Sequence, residues 1–162
     1  MDLDSILRLL VSILACFSAA GIGNLFTYKA VKQWYPHLIK PRYTPPNWAF
    51  GPVWFVLYIL MAVSVFIIWQ QGFSSADVLA TFMLFWTQLA LNALWSIVFF
   101  GLKKKGGGVV TIIILWLFIL ATMIAAFHIS IIAGILLIPY ILWVSIATYL
   151  NIGVWWLNKA TR

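Results

Sequence analysis

The side chains best suited to bind a ligand recur at helical spacing inside long apolar segments. One set stands at i, i+4, i+7 and i+11 in the third segment: Gln88, Asn92, Trp95 and Phe99. A second set falls along the fifth segment: Pro139, Trp143, Ala147, Leu150 and Asn151. Each spacing predicts one helical face. Amides and indoles bind by hydrogen bonding and stacking, so the faces suit a pocket for a large, flat, mostly apolar ligand. Alternatively, they are polar contacts between helices.

Two more sets of residues at helical spacing form stripes along their segments and also suit a ligand pocket or a helix contact. Trp54, Tyr58 and Met61 align in the second segment, and small side chains align in the first: Ser12, Cys16, Ala20 and Gly23. Small residues let a neighbouring helix or a flat ligand approach closely. Trp95 and Trp143 lie several residues inside their segments, where an indole N–H must find a partner or face a cavity.

Groups for acid–base, metal or phosphate chemistry are missing from these segments. None contains Asp or Glu, which disfavours a proton relay or an ion-coupled pump. His37 and His128 are predicted at opposite membrane faces, and Cys16 is the single cysteine, so we expect no metal site and no disulfide. Gly106–Gly108 lacks the remaining residues of a phosphate-binding loop and is interpreted as a flexible start to the fourth helix. We therefore expect no catalytic residue of a conventional kind and no required cofactor.

Five apolar segments must position these side chains. The chain has 162 residues, of which 65% are hydrophobic and only 8% charged, a composition typical of a membrane protein. A bilayer core of about 30 Å takes roughly 20 apolar residues per helix, and the segments show no alternation typical of strands. We predict an all-α membrane protein: one domain over residues 1–162, forming a five-transmembrane-helix bundle with helices at about 6–26, 48–70, 78–101, 107–127 and 133–156.

The charges predict an orientation. The net charge is +7, and the basic residues fall in alternate connections: Lys29, Lys32, Lys40 and Arg42, then Lys103, Lys104 and Lys105, then Lys159 and Arg162. The opposite face carries Asp2, Asp4, Asp77 and Arg8. Because Lys and Arg accumulate on the cytoplasmic side, we predict a multi-pass protein with its N-terminus outside and its C-terminus cytoplasmic. The scattered basic residues form no nucleic-acid surface, and the identity of the membrane stays open.

Four motifs carry a family resemblance: WYPHLIKPRYTPPNW, GPVWFVLY, QLALNALWSIVFFG and IPYILWVSIATYLN. In these motifs and its five apolar segments the chain resembles the translocator protein, or tryptophan-rich sensory protein, family, which includes the peripheral benzodiazepine receptor. The resemblance implies a bundle that is often a homodimer. It also implies a ligand cavity on the side of a long ordered first loop that acts as a lid, and ligands such as protoporphyrin IX, other tetrapyrroles and, in animal members, sterols.

Carried over position by position, the resemblance implies these ligand-binding residues: Tyr35, Pro45, Trp54, Asn92, Trp95, Trp143, Ala147 and Leu150. Two positions depart from the family. The cation of the animal sterol pattern is missing, since Lys159 stands too far after Tyr149, and Tyr43 replaces a common Trp. Five prolines in residues 34–54 restrict the loop and reduce the entropy lost on closure. Lys40 and Arg42 either pair with porphyrin propionates or serve only as topology charges.

These observations favour a membrane receptor or carrier that binds porphyrins, including heme-related tetrapyrroles, with a transport or stress-sensing role. The porphyrin would be a ligand, and membrane lipid and a second copy of the chain would be the other partners. One alternative is a light- and oxygen-dependent porphyrin-degrading enzyme that uses Trp54 and Trp143. Another is a structural membrane protein with lipid in its groove. The sequence does not separate transport from sensing or identify the physiological ligand.

Overall fold

Five long α-helices make up the fold in a computed structural model that describes residues 2–159. They are α1 Leu3–Gln33, α2 Asn47–Gln70, α3 Ala76–Ser96, α4 Lys105–Ile129 and α5 Ile131–Leu157. Each is long and apolar enough to cross a bilayer. No strand occurs among the described residues, so the prediction of an all-α bundle of five spans is confirmed. Arg162, one of the predicted cytoplasmic charges, lies outside the described residues.

The helices close into a ring. Each helix packs on its neighbours in the order α1, α2, α5, α4, α3 and back to α1, and α2 also contacts α3 across the ring. Met61, Phe85, Ile112 and Tyr140 are fully buried in the shared core. Large apolar residues such as Leu142 face outward, as expected where lipid is the solvent.

Helix ends differ from the apolar segments used to predict them. α1 continues to Gln33, well beyond the predicted end at residue 26, because helix-compatible polar residues extend it past its most apolar part. At the other end, the Asp2 carboxylate accepts a hydrogen bond from the Ser5 N–H at 3.1 Å and caps the helix.

The connections around α4 are tighter than expected. The predicted turn at residues 128–132 is a break at Ser130 alone, whose hydroxyl accepts a bond from the Ala133 N–H at 3.4 Å. Gly106–Gly108, predicted to be flexible, forms the first turn of α4. A Cβ on Gly108 would lie 2.6 Å from Cδ2 of Phe99, so this glycine lets α4 and the end of α3 approach closely. That end is a π-helical turn, Ile97–Gly101.

The connection between α1 and α2 is ordered, as predicted, and is attached to the end of α5. It includes a short 3₁₀ turn, Tyr35–His37. The Asn158 side chain bonds both backbone groups of Ile39: its oxygen accepts from the N–H at 3.0 Å, and its amide donates to the carbonyl at 2.9 Å. Pro41 packs on Gly153, where a Cβ would lie 2.2 Å from the proline Cγ.

Candidate ligand-binding cavity

A cavity of about 480 Å³ lies between α1, α2 and α3, beneath the connection that joins α1 to α2. Its size falls within the range of about 300–1,000 Å³ typical of small-molecule sites. The lining residues are Phe17, Ala20, Gly21, Gly23, Asn24, Thr27, Val31, Tyr35, Asn47, Phe50, Gly51, Trp54, Phe55, Tyr58, Asn92, Trp95, Ser96 and Phe100.

Small residues of α1 make room for the cavity. Gly23 packs on α3, since a Cβ there would lie 3.2 Å from the Ser96 hydroxyl oxygen. Ala20, Asn24 and Thr27 follow at helical spacing and face the cavity. The predicted small-residue stripe therefore serves both purposes, with helix packing at Gly23 and a cavity wall beside it.

Trp54 is the centre of the aromatic wall. Its ring centroid lies 5.6 Å from that of Tyr58, 6.3 Å from that of Trp95 and 6.2 Å from that of Tyr140. Trp95 in turn stacks on Phe99 at 6.2 Å with an interplanar angle of 13°. Such pairs contribute about 0.5–1.5 kcal/mol each beyond the area they bury, so the wall is largely preformed.

Asn92 ties three helices together at the cavity floor. Its side-chain oxygen accepts a hydrogen bond from the Tyr58 hydroxyl at 2.9 Å, and its amide donates to the Tyr140 hydroxyl at 2.8 Å. All three residues are buried. A buried polar group is stable when it is paired, and this chain of bonds fixes the orientation of both tyrosine rings, against which Trp54 packs.

The α3 face is buried as predicted. Gln88, Asn92, Trp95 and Phe99 are all almost completely buried. The Trp95 indole N–H donates to the Asn151 side-chain oxygen at 3.3 Å, so this deep indole has a partner and also lines the cavity. Gln88 lies one turn from Asn92, and neither polar atom of its amide has a partner among residues 2–159.

Tyr35 forms the roof of the cavity. Its side chain is buried, its ring lies 6.1 Å from Phe100, and the Lys40 ammonium nitrogen stands 4.6 Å from the ring centroid. Burial raises the pKa of the Tyr35 phenol, which therefore stays neutral. Tyr43, where the chain departs from the family motif, is 73% exposed and lies under Arg42 instead of in the cavity.

Four of the eight predicted ligand-binding residues line this cavity: Tyr35, Trp54, Asn92 and Trp95. The other four are not among its lining residues: Pro45, Trp143, Ala147 and Leu150. Phe50 lines the cavity and packs edge-on against Trp143 at 5.6 Å, while the Trp143 indole nitrogen is buried and has no hydrogen-bond partner in the described part of the chain. Ligand contact at all eight positions stays a prediction.

The predicted face of α5 differs in part from the observed one. Pro139 is exposed and Trp143 is half-buried, whereas Tyr140 and Val144 are buried beside Ala147. A helical period predicts which residues share a face but not which neighbouring helix covers that face.

Sequence reasoning missed much of the wall formed by α1 and α2. The omitted residues include Phe17, Asn24, Thr27, Asn47, Phe50 and Phe55. A signal was present, because Asn24 and Thr27 are polar residues three positions apart next to the small-residue stripe.

Five membrane-spanning helices, three of which enclose an aromatic cavity, define an integral multi-pass membrane protein of the α-helical class. The sequence model of the TspO/MBR family matches residues 12–157. The chain therefore belongs to the TspO/MBR family, which confirms the resemblance carried by its four motifs.

Relatives from distant organisms match nearly the whole chain. A tryptophan-rich protein TspO of Archaeoglobus fulgidus is 43% identical over 95% of this chain and 99% of its own length. A tryptophan-rich sensory protein of Cereibacter sphaeroides is 38% identical over 89% of this chain and 87% of its own. The human translocator protein is 35% identical over 92% of this chain and 86% of its own.

Proposed function

We propose that this protein is a membrane receptor or carrier that binds a flat, largely apolar ligand of the tetrapyrrole class in the cavity between α1, α2 and α3. The observation that carries the proposal is the wall built by Trp54, Tyr58 and Trp95 over a floor whose amide, Asn92, is already hydrogen-bonded. Such a site offers broad aromatic faces and few polar contacts, which suits a large planar ring system.

The family adds support for a sensing or transport role. One relative is named a sensory protein and another a translocator protein. Among residues 2–159, no Asp, Glu, Lys or Arg lines the cavity, which does not favour ion-coupled pumping through it. We propose binding coupled to a regulatory output or to passage of the ligand.

Lys40 is our candidate partner for the acidic edge of a tetrapyrrole. Its ammonium nitrogen lies over the ring of Tyr35, 4.6 Å from the ring centroid. A carboxylate that projects past Tyr35 would meet this cation, while the ring system stays among the aromatic residues. Lys40→Gln is expected to weaken binding of protoporphyrin IX more than binding of its dimethyl ester, which lacks the anionic groups.

The direct experiment is titration of the purified protein in detergent with protoporphyrin IX, with tryptophan fluorescence as the readout. Saturable quenching is expected, and Trp54→Phe should weaken the apparent affinity. Trp69→Phe is the matched control, because Trp69 packs with Arg8 and Phe82 and is not a cavity-lining residue. The proposal fails if quenching does not saturate while a heme-binding membrane protein quenches normally. A thermal-shift panel would rank other ligands, since a ligand that binds only the folded state raises its stability.

The position of Trp54 also favours a second candidate function, light-dependent oxidation of the bound porphyrin with molecular oxygen as the oxidant. An indole in the cavity wall would touch a bound photosensitiser, and this chemistry needs no acid or base from the chain. The third candidate, a structural protein with lipid in the cavity, predicts no preference among flat ligands in the same titration.

A further inference from the structure

We infer that the cavity is entered sideways from the bilayer, through a doorway between α1 and α2. The doorway is defined by Gly21 and Asn24 on α1 and by Asn47, Gly51 and Phe55 on α2. All five residues line the cavity and are also exposed. The inference rests on the proposed function for the identity of the ligand but concerns the route by which it arrives.

Two glycines leave the doorway open. Within the described part of the chain, a Cβ built on Gly21 or on Gly51 would meet no atom within 4 Å. Neither glycine is therefore needed for helix packing, in contrast to Gly108, and neither has a positive backbone φ. Glycine within a helix is destabilising by roughly 0.5–1 kcal/mol relative to alanine. Gly21 on α1 and Gly51 on α2 both line the cavity and have no packing reason to be glycine, which supports a role in leaving a passage open.

The roof of the cavity is Tyr35 together with the rest of the connection between α1 and α2. In contrast to the doorway, it is held closed by contacts spread along its length. Asn158 holds both backbone groups of Ile39, and Pro41 fits against Gly153. Trp34 packs edge-on against Phe99 at 5.5 Å, and Tyr35 is buried. Entry from water through the roof would break these contacts together, whereas entry between α1 and α2 breaks none of them.

The polarity of the doorway residues indicates which class of molecule passes between α1 and α2. Asn47, Gly51 and Phe55 stand four residues apart and form one line along α2, about 12 Å long at 1.5 Å per residue. The end near the connection carries Asn47 and, on α1, Asn24, which are neutral hydrogen-bonding groups. The deeper end carries Phe55 edge-on to Phe17 at 5.6 Å.

This gradient matches the orientation of an amphiphile in one leaflet, with its polar group at headgroup level and its flat apolar body toward the bilayer centre. The chemical class that fits is a planar, membrane-dissolved amphiphile with a hydrogen-bonding edge. An entrance that opens to lipid disfavours an aqueous ion or a sugar, because either would have to leave water to reach it.

A thiol placed in the cavity tests the route without any porphyrin. Ser96→Cys, made with Cys16→Ala so that it is the only thiol, puts the reporter on a cavity-lining residue. In lipid vesicles, apolar methyl methanethiosulfonate should modify it much faster than a bilayer-excluded quaternary ammonium methanethiosulfonate. Adding Gly21→Leu or Gly51→Leu should slow the apolar reagent by about tenfold or more, because a large side chain fills the passage.

Two matched variants complete the design. Ala121→Leu enlarges an exposed residue on α4 that does not line the cavity, and it should leave the rate unchanged. Gly153→Ala displaces Pro41 and loosens the roof, and it should also leave the rate unchanged. The doorway is overturned if both leucine variants react at the parent rate, or if Gly153→Ala accelerates either reagent. If Gly21→Leu does not fold, the result for Gly51→Leu decides.

Porphyrin kinetics separate this inference from the proposed function. If protoporphyrin IX binds, Gly51→Leu should lower its association and dissociation rate constants by a similar factor of about ten. The Kd should change little, because narrowing the passage slows entry and exit of the ligand to the same extent. A loss of affinity with unchanged association would instead make Gly51 a contact residue and overturn the doorway. If no variant binds porphyrin, the proposed function fails, and the thiol rates still decide the entrance.

Discussion

At the residue scale, the polar side chains of the cavity act mainly through one another. Asn92 accepts from Tyr58 and donates to Tyr140, so one amide links α2, α3 and α5. Trp54 packs against both tyrosines. The aromatic wall therefore depends on a residue whose own hydrogen bonds are already made.

Replacing Asn92 by leucine should destabilise the fold more than replacing Tyr58 by phenylalanine. Asn92→Leu leaves two buried hydroxyl groups unpaired, each at a cost of about 1–3 kcal/mol, whereas Tyr58→Phe leaves one buried acceptor, the Asn92 side-chain oxygen, unpaired at a cost in the same range of about 1–3 kcal/mol. Tyr58→Phe added to Asn92→Leu should recover part of the loss, because it removes one unpaired hydroxyl. Thermal unfolding in detergent provides the measurement, and fully additive losses would show that the three residues are not coupled.

If porphyrin is oxidised under light, the variant Trp54→Phe should lose most of the product while Trp69→Phe retains it. Trp54 lines the cavity, and Trp69 lies with Arg8 at the end of α2, its backbone carbonyl 3.0 Å from the guanidinium. Absorbance of the illuminated, oxygenated complex follows the product. Trp143→Phe tests whether the reaction extends beyond the lining residues, since Trp143 packs edge-on against Phe50 but does not itself line the cavity. Equal product in all three variants would indicate bulk photochemistry.

At the element scale, the sequence predicted the helices more reliably than their ends or their neighbours. Apolar segments of bilayer length leave little choice of structure, because backbone groups in lipid must be paired internally. The observed helix ends differ from the predicted ones because an apolar segment shows only the part of a helix that crosses the membrane. α1, for example, continues through polar residues to Gln33. The break before α5 needs only Ser130, whose hydroxyl caps the next helix, and such a short signal is easily missed.

The cavity, too, could be predicted only in part from the sequence. The α3 face was predictable because Gln, Asn and Trp are conspicuous in an apolar helix. On α1, Phe17 resembles an ordinary residue of an apolar helix and carries no signal, whereas the polar pair Asn24 and Thr27 was a signal that the prediction did not use. Trp143 is predicted to line the pocket, but in the structure Phe50 lines the cavity and Trp143 packs edge-on against Phe50. The helical periodicity of the sequence does not predict the order in which the helices pack around the ring.

Substitution by alanine should have different effects on thermal stability at Gly108 and at Gly51. A Cβ on Gly108 would lie 2.6 Å from Cδ2 of Phe99 and 2.9 Å from the Asn151 side-chain oxygen, whereas one on Gly51 meets nothing within 4 Å. Overpacking costs typically about 1–3 kcal/mol, so Gly108→Ala should lower the melting temperature. Gly51→Ala should leave it unchanged or raise it, since alanine favours a helix by about 0.5–1 kcal/mol. Two equal losses would contradict the contrast between a packed and an open glycine.

At the scale of the whole molecule, charge divides the bundle into two ends. The end that carries the roof also carries the three lysines before and at the start of α4, Lys103, Lys104 and Lys105. Lys105 donates to the Asn158 backbone oxygen at 2.8 Å, so one of these cations also stabilises the attachment of the roof. The opposite end carries Asp4 paired with Arg8 at 2.6 Å. Because Lys and Arg accumulate on the cytoplasmic side of membrane proteins, we predict from this uneven distribution that the roof lies in the cytoplasm.

Thiol labelling of intact cells that express the protein tests this orientation. In a Cys16→Ala background, Ser74→Cys samples the connection between α2 and α3, and Tyr43→Cys samples the roof side; both positions are exposed and neither change removes a charge. A membrane-impermeant maleimide should label Ser74→Cys in intact cells and Tyr43→Cys only after permeabilisation. The reverse pattern would show that the positive end faces outward. The doorway would then draw its ligand from the outer leaflet, because its polar end lies on the roof side.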